Sequence, residues 1–193
     1  MTDDYEEGRP GSAAVRLRAL AHPLRQKLLS LLGSADSVTA TQCAEVLGES
    51  VASCWYHLGI LAKYGYIEHV PGSSGREKPW RAAGTGPLVF SPDRLDAEGR
   101  RALDALAETF LEQQFEHTKM QLRRVALEPP EWAQAGGMSA GPMHVTASEL
   151  HALKEELNAI LLRYQDRAGD PGLRPAAARP ARMFFSVFVE PPL

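Results

Sequence analysis

Cys54 and His57 stand three residues apart in "ESVASCWYHLGILAKYGYIEHV" (residues 49–70), with Cys43 upstream and His69 at the far end. These are zinc-ligand types, and a structural zinc takes about four of them. The spacing also supports a plainer reading. Cys54, Leu58 and Leu61 fall at i, i+4 and i+7 and share one helical face. A small apolar residue belongs there, and free cysteine is among the most buried residue types. No metal site and no cofactor are expected. His117, His144 and His151 have no completing ligands in a helical or loop pattern and are assigned to core or surface. No nucleophile elbow, phosphate loop or paired-carboxylate site occurs, so no catalytic residues are assigned and an enzyme is not expected.

What remains is the chemistry of recognition, and the elements around residues 49–81 must position it. Ser12 can cap a first helix that Pro23 divides, because proline lacks the N–H its helix would use and disfavours helix at the residue before it. Leu24, Leu28, Leu31 and Leu32 then recur at helical spacing. Thr39 or Thr41 can cap a second helix that Gly48 stops, and Ser50 caps a third, running to residue 64. "YIEHV" reads as a strand, "PGSSG" as a turn and "KPWRAA" as a returning strand. The sequence predicts a mainly α chain with a β-hairpin wing, which is the order of a winged helix-turn-helix.

That order suits double-stranded DNA. A major groove about 12 Å wide admits one helix, anchored on its inner face and free on its outer one. The N-terminus at Ser50 offers unpaired N–H groups and positive dipole to a phosphate. Val51, Ser53, Trp55, Tyr56 and His57 would then present hydroxyls, a ring nitrogen and apolar surface to base edges. Arg76, Lys78 and Arg81 on the hairpin would grip the backbone or enter a minor groove. Arg16, Arg18, Arg25 and Lys27 fit phosphate contact and ordinary helix surface equally well.

"ALAHPLRQKLLSLL", "TATQCAEVLGESVASCWYHLGILAKYGYIE" and "GREKPWRA" together resemble the ArsR-type winged-helix transcription regulators, over residues 12–84. The segment running from His57 and Leu58 through Leu61 to Gly65, Tyr66 and Ile67 is similar to the one that ends that family's recognition helix. The resemblance implies a homodimeric DNA-binding regulator, usually a repressor. It departs at Trp55 and Tyr56, where many members carry small polar residues.

Beyond the head, a linker is expected at 85–94, followed by a long helix over 95–127. Leu103, Phe110, Leu111, Phe115 and Leu122 give that helix a broad apolar side suited to dimerisation with a second copy. Residues 128–193 should form a small α+β region. It comprises a strand near 143–145, a helix from Thr146 with a capping box to Glu149, and a strand in "ARMFFSVFVEPP". Trp132, Phe184, Phe185 and Phe188 fit core or interface better than an effector pocket.

Composition sets the outer bounds. The 193 residues are 44% hydrophobic and 23% charged, a globular composition. No apolar run reaches membrane-spanning length, so no membrane partner is expected, and an acidic, polar start points to the cytoplasm. The net charge of −3 conceals an uneven distribution: residues 9–82 hold nine Lys or Arg against five acids. Two alternatives stand beside a DNA-binding repressor. One is a sensor-regulator with a small-molecule effector pocket in 128–193. The other is a winged-helix protein-interaction module that does not touch nucleic acid.

Overall fold

The computed structural model describes residues 12–73, 77–83 and 95–191. The predicted linker 85–94 lies outside them. Local chemistry sets each of the first four helices. In α1 (Ala13–Leu20) the Ser12 hydroxyl accepts the Val15 N–H. At the next junction His22 is extended, and its Nδ1 accepts the Leu24 N–H at 3.2 Å. Pro23 then opens α2 (Pro23–Leu32) where a missing N–H costs nothing. Thr39 caps α3 (Ala40–Leu47) in a reciprocal box with Gln42. Gly48, at φ 68°, ends it in the left-handed conformation that glycine adopts without a Cβ clash. Two residues later Ser50 caps α4 (Val51–Lys63), its Oγ accepting the Ser53 N–H at 3.1 Å.

Their apolar stripes meet in one core. Leu28, Leu58, Leu61, Cys43 and Cys54 are fully buried. Each large aliphatic side chain removed from water in this way contributes about 1.5–3 kcal/mol. The antiparallel wing, β1 (Ile67–His69) and β2 (Trp80–Ala82), pairs Ile67 with Ala82, Glu68 with Arg81 and His69 with Trp80. On its other edge β2 is bridged to Val38, just ahead of α3, through Val38 N–H to Trp80 O (2.9 Å) and Trp80 N–H to Val38 O (2.8 Å). Tyr66 Oη donates to Arg16 O at 3.0 Å, fastening the base of the wing to α1.

The long helix is α5 (Ala97–Arg124), capped by Asp96 and continued by a 3-10 turn, Val125–Leu127. Its 28 residues span about 42 Å at 1.5 Å per residue. Its first turns pack on α1, burying Ala102, Leu103 and Leu106 in the head's core. Leu103, predicted to serve dimerisation, is therefore 8% exposed and used within its own chain. Phe110 packs on the edge of the same core, whereas Leu111, Phe115 and Leu122 are exposed.

The C-terminal region is helical, with α6 (Pro130–Ala135), α7 (Ala147–Leu162) and a short α8 (Asp166–Gly169). The Thr146 capping box forms as predicted. The two strands predicted there do not: among the described residues, neither 143–145 nor 181–191 finds a ladder partner. The last segment instead runs back over the head. Arg182 donates to Ser30 on α2, Phe184 meets Phe110 edge-on at 5.9 Å, and Arg174 pairs with Asp36 at 2.5 Å. Among the described residues no helix is long and apolar enough to cross a membrane.

Candidate nucleic-acid interface

α3 and α4 are joined by a three-residue turn, and α4 lies on the head with its cysteine-leucine face down. The opposite face is open. Val51 is 45%, Trp55 66% and Tyr56 61% exposed, while Ser50 lies exposed at the N-terminus and Ser53 is half-buried on its flank. Ser50 serves α4 first as a cap, and its hydroxyl is engaged with the Ser53 N–H.

His57, expected on the open face, is buried. Its ring packs on that of His22 at 4.3 Å, and the Tyr56 ring meets it edge-on at 5.1 Å. The reason lies in the break at Pro23, which sets His22 beneath α4. Arg25 completes the cluster. It donates to the carbonyls of Ala19 and Arg18 at the end of α1, and its NH1 lies 3.5 Å from His57 Nδ1. Burial lowers the pKa of both histidines, and Arg25 lowers both further. Neutral His57 thus acts as a spacer that orients Tyr56, and Arg25 is committed internally rather than to phosphate. Arg18 is likewise taken, by Glu98 at 2.6 Å.

The wing stands beside the open face of α4. Ala40, Val51, Trp55, His69, Glu77, Lys78 and Trp80 line a cleft of about 330 Å³ between them. Thr41 Oγ1 donates to Glu77 at 2.7 Å, so a second tie links the wing to α3. The Trp80 ring is stacked on His69 at 3.5 Å. Lys78 is exposed. Arg81 is not free: its guanidinium donates twice to Glu68 directly across the ladder, at 2.9 and 2.6 Å. Arg76 lies outside the described residues. Sequence reasoning missed Thr41, Glu77 and Trp80 as the parts that fix the wing. The alternation in "KPWRA" carried a signal for Trp80, since it puts Trp80 and Ala82 on one side of the strand and Arg81 on the other.

Burial pushes the Cys43 thiol up to about 11, and burial also raises Cys54, so both stay protonated near neutral pH. Among the described residues no three His, Cys, Asp or Glu side chains gather as a metal-binding group.

A tri-helical core, a short capped helix with an open face and a hairpin beside it define a winged helix-turn-helix. The family description "Helix-turn-helix domain" matches residues 20–70, from the end of α1 through β1. That span contains the whole of α2, α3 and α4, and over it the chain is similar to a helix-turn-helix domain. Comparison with curated proteins finds no match to the chain.

Proposed function

We propose that the chain is a cytoplasmic, non-catalytic, sequence-specific transcription regulator of the ArsR-like type, acting as a homodimeric repressor. One observation carries this reading: α4 is clamped by fully buried Cys54, Leu58 and Leu61 while Trp55 and Tyr56 remain in solvent on the other side. A monomer gains nothing from holding two large aromatic rings in water on so rigid a mount. A groove would cover them. In this reading α4 enters the major groove, its N-terminus meets a phosphate, and Lys78 with the wing holds the backbone. The exposed second half of α5, with Leu111, Phe115 and Leu122, supports pairing with a second copy. Two recognition helices would then meet grooves about 34 Å apart.

The effector-sensor alternative draws less support. Trp132, its candidate lining residue, carries the Arg179 guanidinium over its ring at 4.7 Å, and Arg179 is paired with Glu128. Selection of bound fragments from a genomic pool tests the proposal. Recovery of a short two-fold-symmetric site, with affinity falling steeply as salt rises, is the expected result. Retention of no fragment would leave the protein-interaction module as the better account.

A further inference from the structure

The side chains α4 offers to a groove are unusual in what they lack. Guanine is ordinarily read by Arg or Lys, adenine by Asn or Gln, and cytosine by Asp or Glu. Helix α4, "VASCWYHLGILAK", contains none of these before Lys63, its last residue. Its open face carries Val51, Ala52, Trp55, Tyr56 and Gly59. The hydrogen-bond code of the major groove is therefore left to hydroxyls and the single Trp55 indole N–H, which lack the bidentate match that chooses among base edges. One base feature in that groove needs no hydrogen bond, the thymine 5-methyl group.

We propose that α4 reads thymine methyl groups, with Trp55 and Val51 as the residues that sense them; this rests on the DNA-binding reading above. Trp55 and Val51 are one turn apart, so they form a continuous apolar surface. Both also line the cleft that α4 shares with His69 and Trp80 of the wing. On the other flank Tyr56 is held edge-on by buried His57, so its hydroxyl is presented from a fixed ring. The half-site then divides in two: a hydrophobic part under Trp55 and Val51, where thymine is preferred, and a hydroxyl-contacted part under Ser53 and Tyr56. Moving one CH2-sized group out of water is worth about four-fold in affinity, which sets the scale for each methyl.

The test uses the full chain and the site recovered from the genomic pool, synthesised with thymine or with uracil at each position of the half-site. Uracil keeps every base-pairing and groove hydrogen-bonding group and removes only the methyl. The wild-type protein should lose about four-fold at each contacted thymine. Trp55→Ala and Val51→Ala should bind thymine and uracil versions more nearly alike. Trp55→Gln keeps a side chain of some length but supplies an amide, and should move preference toward adenine. Trp55 lies on the exposed face, so these variants keep the core, and unchanged thermal melting verifies it. Equal wild-type binding to thymine and uracil sites, with the recovered site still preferred over random DNA, overturns the inference and leaves the DNA-binding reading standing. Undiminished discrimination by both Trp55→Ala and Val51→Ala also overturns it. Failure to recover any site defeats the underlying reading first.

Discussion

Two regions of this molecule expose large apolar side chains, and they do so on opposite kinds of support. On α4, Trp55 and Tyr56 project from a helix whose other face is fully buried and whose N-terminus is capped. On the second half of α5 and along α7, Phe115, Leu122 and Ile160 project from helices that bury little on any face. Cost explains the difference. Exposed aromatics on a clamped helix are affordable because the core beneath them already stabilises the element. Exposed apolar residues on an unclamped helix leave the element itself short of stabilisation, since most helical stability comes from packing one face. The first arrangement suits a partner that comes and goes, and the second suits a permanent one.

The comparison can be broken most forcefully from the core. Leu58→Ala removes a fully buried side chain beneath α4 and should cost about 2–5 kcal/mol, read by chemical denaturation, with DNA binding lost as well. A comparable loss of stability from Trp55→Ala would erase the distinction between clamp and face. Next in size, Phe115→Glu combined with Leu122→Glu should convert a dimer to a 21.1 kDa monomer in sedimentation equilibrium. Melting of the head would change little. Dimers that persist in this variant would assign the second copy to another surface. A smaller effect is expected on the wing: Lys78→Ala should weaken binding to all sequences alike and reduce the salt slope by about one. Arg81→Ala should do less than Lys78→Ala, because Glu68 already holds its guanidinium.

The gentlest effect is a pH trend. His22 and His57 have folded-state pKa values lowered from 6.5, by burial first and then by neighbouring cations. The groups facing them are Arg25, Tyr56 and Glu49, and Glu49 opposes the shift. Below pH 6.5 the unfolded chain binds protons that the folded chain does not, so their contribution is full above that value and declines as pH falls through it. Thermal melting between about pH 7.5 and about pH 5, which bracket the ordinary histidine range, should show the decline, and His57→Gln should flatten it.

The head was legible because its signals are local. Ser12, Thr39 and Ser50 each precede an apolar-periodic run, Gly48 follows one, and Pro23 divides another, and every one acts within a few residues of itself. His57 was misread because its burial depends on His22, thirty-five positions away in sequence and brought close only by the fold. Leu103 shows a second limit. An apolar stripe records that something covers it, not whether the cover is α1 of the same chain or a second molecule. The C-terminal "FFSVFV" shows a third: β propensity measures fit to a neighbouring strand, and the chain supplies none among its described residues. Arg81 lies between these cases. Its pairing with Glu68 follows from the hairpin register, which sequence leaves open until the turn is known.

The bridge between Val38 and Trp80 has a mechanical result. Because two backbone hydrogen bonds fasten the wing just ahead of α3, and Glu77 adds a side-chain tie, the hairpin cannot swing without dragging the helical pair along. The distance from wing to reading helix is then a stiff calliper. Duplexes whose width differs from that setting must themselves deform, and the strain would fall on the nucleic acid instead of the protein.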